Sequence, residues 1–315
     1  VLDVTAATRR PVLVTGAHRS GTTWVGDMLA GSGEMAYVHE PFNVHHDPGW
    51  LPRPLPHWFL YVCEDNEERY APMLEGVFGL RFPLRGRPGP WPPRRVAHAA
   101  KLRATSALAR TQKRRVLMKD PLALLSAEWL ARRFGAQPVV MIRHPAGFAS
   151  SLDRLGWRFD FRNWLDQPLL MRDLFGPFED DLHALVRREH DVIDEAGLMW
   201  RVLYSVVHEM RDRHPDWVFL RHEDLASDPV GGFARLYARL GLAFERRVAA
   251  QVARSARGPE SDVAPSSLGR GDRNAGIAAR AWTTRLCAAD VERVRRSVGD
   301  VAAHFYDAST WEVAA

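Results

Sequence analysis

The sequence predicts an α/β fold, a single three-layer domain over 1–315 with a mainly parallel central sheet flanked by helices. Three observations predict it. Short apolar runs alternate with helical stretches, the rhythm of strand–helix–strand units. The helical stretches stop at glycine: Gly31, Gly135 and Gly156. Each apolar run also leads into a cluster of polar residues, and ligands of an open α/β sheet bind at the carboxyl ends of its strands. A chain of 315 residues with 46% hydrophobic and 26% charged residues has the length and balance of one large globular domain.

Strands are expected at 12–15, 35–38, 116–118, 138–142 and 217–220, where the chain runs apolar over a few residues. Helices are expected at 22–31, 122–134 and 146–155, with later ones near 179–213, 229–240 and 288–305. Two segments interrupt the alternation. Residues 44–95 are rich in Pro and Trp and, with the basic stretch up to 115, read as a lid or acceptor-binding insertion, 44–115. Residues 256–280 are rich in Gly, Ser and Arg and read as a mobile loop. There is no internal repeat.

Composition removes several classes. No run approaches the ~18 apolar residues of a membrane span, so no transmembrane segment is expected. The first residues, VLDVTAATRR, hold no apolar signal core, although the absence of an initiator Met leaves room for a trimmed targeting segment. Cys63 and Cys287 are too few for a disulfide framework or a metal knuckle. Arginine outnumbers lysine forty to three, as in GC-rich bacterial genomes, and a bacterial cytoplasm is the expected location. The net charge of +5 is unevenly spread: 76–119 holds twelve Lys or Arg and no Asp or Glu. Such a block suits a nucleotide phosphate, an acidic substrate or a membrane surface, and equally a solvated basic helix. Nucleic acid is not an expected partner.

The stretch PVLVTGAHRSGTTW carries the sharpest chemistry. Gly16 and Gly21 have the spacing of a nucleotide phosphate loop, but Thr22 stands where the loop lysine belongs and Arg19 is the nearest cation. Gly21 lets backbone N–H groups approach a phosphate, the helix opening at Thr22 points its positive end there, and Ser20, Thr22 and Thr23 add hydroxyls. A γ-phosphate transfer needs that lysine and a held magnesium; binding one phosphate that then leaves does not. A second anion site is suggested by Arg143 at a strand end and Ser151 in the following helix. The remaining strand ends read His39-Glu40-Pro41, Lys119-Asp120-Pro121 and Arg221-His222-Glu223-Asp224-Leu225. His39, Glu40, His45 and His46 could be read as metal ligands, but no second pair at ligand spacing accompanies them, so no metal is expected.

Together these motifs resemble the sulfotransferases that use 3′-phosphoadenosine 5′-phosphosulfate (PAPS). His18-Arg19-Ser20-Gly21-Thr22-Thr23-Trp24 resembles their 5′-phosphosulfate loop, Arg143 and Ser151 fall at their 3′-phosphate ligands, and RHEDL at 221–225 resembles a recurrent Arg-Tyr-Glu-Asp-Leu segment. The Glu40-Pro41 pair and Lys119-Asp120-Pro121 bring the chain nearer the bacterial and Golgi carbohydrate branch. The resemblance implies a P-loop-like fold and metal-free, in-line transfer of a sulfuryl group from PAPS to a hydroxyl, with PAP as product. It implies that Gly16, His18, Arg19, Ser20, Gly21, Thr22, Thr23 and Trp24 hold the 5′-phosphosulfate. Arg270, Gly271 and Arg273 resemble the loop that closes over the 3′-phosphate. Glu40 is the first candidate for the base, with His39 and His18 as alternatives, and Arg19 and Lys119 are the candidate electrostatic stabilisers. Trp50, Trp58, Phe59, Trp91, Trp157 and Trp164 lie in segments that would flank the acceptor, expected to be a small molecule, sugar or glycolipid with a hydroxyl. A kinase with a degenerate phosphate loop and a non-catalytic nucleotide- or anion-binding module are the competing readings.

Overall fold

The computed structural model describes residues 10–45, 49–83, 92–256 and 279–312. Five strands form: β1 (Val12–Gly16), β2 (Met35–His39), β3 (Arg115–Lys119), β4 (Gln137–Ile142) and β5 (Val218–Arg221). They make one mainly parallel sheet in the order β2-β3-β1-β4-β5, flanked by helices. β3 runs parallel to both β1 and β2, with Val12 opposite Leu117, Met35 opposite Arg115 and His39 opposite Lys119. β1 is buried throughout, which explains its unbroken apolar run: a parallel strand covered on both faces has no polar side to alternate with. The expected α/β class is therefore the observed one, each expected strand shifting by a residue or so at its ends.

The helices used below are α1 (Thr22–Ala30), α2 (Glu67–Phe78), α3 (Pro93–Thr111), α4 (Ala127–Phe134), α5 (Pro145–Leu155), α6 (Glu179–Arg187), α7 (Val192–Arg213), α8 (His222–Ser227), α9 (Pro229–Arg239), α10 (Arg246–Ser255) and α11 (Ala288–Val298). Three expected helices are subdivided, each for a local reason. The one at 122–134 begins as a 3-10 turn over Pro121–Ser126, capped by the Asp120 carboxylate on the Leu122 N–H at 2.9 Å, before α4. The one at 179–213 breaks into α6 and α7, because Asp191 is extended and its carboxylate caps the N–H groups of Ile193 and Asp194, both at 3.0 Å. The one at 288–305 ends as α-helix at Gly299, whose φ is +50°, and continues as a 3-10 turn over Gly299–His304.

The chain divides into two compact units. The first comprises Val1–His18, Thr22–Val139 and Tyr237–Glu245, the second Arg19–Gly21, Val140–Leu236 and Arg246–Ala315. In the first, the apolar residues of β1 and β3 are buried together with Phe42, Phe59 and Leu74. In the second, Phe148, Trp164, Phe175, Trp200 and Tyr204 fill the interior. There α7 is tied to the end of β4 by Tyr204 Oη on the Met141 carbonyl at 3.2 Å and Trp200 Nε1 on the Arg143 carbonyl at 2.9 Å. Helix α7 in turn lies close to α11, since a Cβ on Gly197 would meet Ser297 Oγ at 2.6 Å.

Candidate active site

The end of β1 and the loop after it hold three residues at positive φ: Gly16 (+142°), Arg19 (+64°) and Gly21 (+98°). Gly21 is needed twice over, because a Cβ there would lie 2.8 Å from His222 Nδ1. Helix α1 starts at the next residue with no acidic side chain in its first turn, so no negative charge there opposes an anion at its positive end. Ser20 is fully buried, and its hydroxyl has no hydrogen-bond partner among the described residues. A buried hydroxyl of this kind, beside a glycine that keeps space clear, is a group that a bound anion could pair.

In the second unit three of the residues expected to bind phosphate come together. Arg19 donates from Nε to Ser151 Oγ at 3.0 Å, and Arg143 donates from Nη1 to the Arg19 carbonyl at 2.7 Å. The Arg19 guanidinium also lies 5.8 Å from the centre of the Trp157 ring. Arg143 is only 9% exposed; burial lowers its pKa, and Glu223 is the first of the groups that raise it.

Below this cluster is a polar brace. Glu223 accepts from the His144 backbone N–H at 3.0 Å and from Tyr306 Oη at 2.8 Å, and burial raises its pKa. Burial, then the charge of Arg143, pushes both His144 and His222 down to about 3. Both imidazoles are thus neutral at neutral pH, and the positive charge here belongs to the arginines. His144 stacks on Trp282 with centroids 5.0 Å apart and planes 7° from parallel. Arg221 grips Asp224 with two hydrogen bonds of 2.8 and 2.7 Å and reaches the Phe305 carbonyl at 2.9 Å. The segment 221–225 therefore acts as scaffold.

In the first unit Lys119, at the end of β3 and fully buried, makes an ion pair with Glu40, just past β2. Glu40 has φ +43°, its N–H donates to the Lys119 carbonyl at 2.9 Å, and its second oxygen accepts from Asn43 Nδ2 at 2.9 Å. Burial works to raise its pKa, but the charge of Lys119, then His39 and the hydrogen bonds, outweigh it and hold the carboxyl at about 2. The Lys119 stem lies against α1, where a Cβ on Gly26 would come within 2.8 Å of its Cγ. Asp120 is fully buried; one oxygen accepts from the Phe42 N–H at 2.5 Å and the other caps Leu122. Burial, then Glu40, pushes its pKa up to about 8. His39 Nδ1 lies 3.4 Å from Tyr37 Oη. His18 sits apart from the Glu40–Lys119 pair in character, its ring against Trp58 and Phe59 at 6.2 and 5.8 Å.

The aromatic candidates separate by burial. Trp50, Phe59 and Trp164 are core residues, Trp50 with its edge to Phe82 and Trp164 among Phe159, Phe161 and Phe175. Trp58 and Trp157 are half-buried, beside His18 and Arg19. His46, Trp91, Arg270, Gly271 and Arg273 lie outside the described residues. Among the described residues there is no cluster of three or more His, Cys, Asp or Glu that could hold a metal ion, and no helix is long and apolar enough to cross a membrane.

The profile of the sulfotransferase family matches residues 11–246, more than half of the chain. The chain belongs to the sulfotransferase family. Among solved structures it is similar to the sulfotransferase domain of the Synechococcus PCC 7002 olefin synthase, at 17% identity, TM-score 0.48, covering 95% of this chain and 96% of that one. It is also similar to the sulfotransferase domain of the curacin biosynthetic pathway, at 15% identity and TM-score 0.46 over 90% and 96% of the two chains. A Mycobacterium tuberculosis sulfotransferase follows at 15% identity and TM-score 0.40, over 78% and 71%. No curated protein sequence matches it.

Several residues of this sulfotransferase were not singled out by sequence reasoning. Asp120 stood unassigned inside a quoted strand end, His222 inside another, and Asn43 and Gly26 carried no assignment. Gly26 had a signal: a glycine inside a helix sacrifices stability and marks a close approach.

Proposed function

We propose that this sulfotransferase moves a sulfuryl group from PAPS to the hydroxyl of a carbohydrate-like or natural-product acceptor. The observation that carries the reading is the hydrogen-bonded chain Arg143–Arg19–Ser151, which links the loop cation to the two residues expected to hold a second phosphate. The buried Ser20 hydroxyl, without a partner among the described residues, and the space kept by Gly21 fit a bound phosphate.

The donor supplies a sulfuryl group on a 5′-phosphate leaving group. The loop N–H groups, Ser20, Thr22, Thr23 and Arg19 bind and neutralise that phosphate, while Arg143 and Ser151 take the 3′-phosphate. The loop needs no further lysine, since one phosphate leaves and no magnesium must be organised. Glu40 is the base in this reading. Held at about 2 by Lys119, its carboxylate is ionised yet too weak to take an alcohol proton, so the pair must open for catalysis. Lys119 is then released to act as a point charge on the transferring group. Half-buried Trp58 offers an aromatic face of the kind that receives a sugar ring. The two free cysteines and the arginine-rich composition support a bacterial cytoplasm.

Thermal shift tests the donor. PAP should raise the melting temperature in a concentration-dependent way, with ATP–Mg much weaker at equal concentration. A shift by ATP–Mg equal to that by PAP removes the PAPS reading.

A further inference from the structure

We propose that the exposed face of α3 docks this protein onto an anionic lipid surface. The first observation is charge without compensation. Arg94, Lys101, Arg103 and Arg110 on α3, and Lys113 and Arg114 just beyond it, are exposed and make no ion pair among the described residues. Some exposed arginines elsewhere are paired, among them Arg133 with Glu75, Arg201 with Asp181, Arg213 with Glu209, Arg235 with Asp228 and Arg296 with Glu292. No acidic residue between 76 and 119 could neutralise the α3 face locally.

The second observation is the arrangement. At 3.6 residues per turn, Arg94 and Lys101 fall on one flank of α3 and Arg103 and Arg110 on the other. Between them run the exposed Ala97, Ala100 and Ala104, with Val96 and Leu108 beside the strip at 51% and 56% exposure. Ser106 and Ala109, on the opposite side, are the buried residues of the helix. Cations bordering an outward apolar strip are the pattern of a helix lying in the plane of a bilayer interface, its aliphatic stems reaching along the strip and its charges at the headgroups. A helix face of this pattern needs no shaped partner: a lipid layer supplies anionic headgroups beside the cations and an apolar interior beneath the strip.

Co-sedimentation with vesicles of phosphatidylcholine alone, or mixed with phosphatidylglycerol, tests this. The protein should pellet with the mixed vesicles only, and release as salt rises. Each cation near such a surface is worth about fivefold in affinity, so the triple variant Lys101→Glu, Arg103→Glu, Arg110→Glu should bind roughly a hundredfold more weakly or worse. A control of equal charge, Arg235→Glu, Arg246→Glu, Arg296→Glu, should keep most of the binding. Val96→Ser with Leu108→Ser, which leaves the charge unchanged, should weaken binding several-fold. The proposal is overturned by failure to pellet with mixed vesicles, by equal losses in the triple variant and its control, or by soluble polyglutamate binding as tightly as the vesicles, which would point to an acidic protein.

Discussion

A methyl group on Gly21 would meet His222 Nδ1 at 2.8 Å, at a φ of +98° that costs any L side chain strain. Gly21→Ala should therefore lower stability by about 1–3 kcal/mol and weaken PAP binding together, measured by thermal melts with and without PAP. A lowered melting temperature with PAP affinity intact would show that the loop tolerates the shift. Arg143 and Glu40 separate binding from chemistry. Arg143→Ala removes a buried donor to the Arg19 carbonyl, so PAP affinity should fall by at least about tenfold. Glu40→Gln should leave PAP affinity nearly unchanged while turnover with labelled PAPS drops by about a hundredfold or more. Retained turnover in Glu40→Gln would pass the base role to His39 or His18.

At the scale of elements, the Glu40 turn is held from β3 rather than from its own strand. Asp120 uses both carboxylate oxygens as acceptors, for Phe42 N–H and Leu122 N–H. Even protonated, the second carboxyl oxygen can accept, whereas an amide nitrogen cannot, so Asp120→Asn should leave one N–H unpaired at a cost of about 1–3 kcal/mol and loosen the turn. The expected result is a lower melting temperature and a sulfation rate reduced more than PAP affinity; a variant equal to the parent in both would remove Asp120 as the brace. This element also shows where sequence reading stops. Strands β1, β3 and β4 were legible because burial on both faces writes an apolar run into local sequence, and the half-buried edge strands β2 and β5 still kept short, mostly apolar runs. The loop 16–23 was legible because its glycines and hydroxyls are neighbours in the chain. The Asp120–Phe42 contact joins residues 78 apart and leaves no local pattern. The break between α6 and α7 was hidden for a different reason: Asp191 reads as a surface acid until its capping geometry is seen.

For the molecule as a whole, acid is the revealing variable, because its buried groups pull in opposite directions. Asp120, pushed up to about 8, favours the folded state below its unfolded value of 3.8, an advantage lost as pH rises through 8. His144 and His222 act the other way. Each ordinarily titrates at 6.5 but is held at about 3 when folded, so the unfolded chain binds more protons between these limits. Their contribution is complete above 6.5 and is lost as pH falls towards 3. Glu40, held at about 2 against 4.5, adds a loss between those two values. Above about pH 4.5 these effects partly cancel; below about pH 4 only the losses remain, and stability should fall steeply. His144→Phe isolates one contribution. No hydrogen bond ties either ring nitrogen of His144 among the described residues, and the ring stacks on Trp282, a place that a phenyl group can fill. The variant should melt close to the parent at neutral pH and gain on it progressively with acid, by about 3 kcal/mol at about pH 4. Comparing the two proteins cancels every other titration, so a difference that stays constant from neutral pH to acid would mean that His144 is not held neutral in the fold.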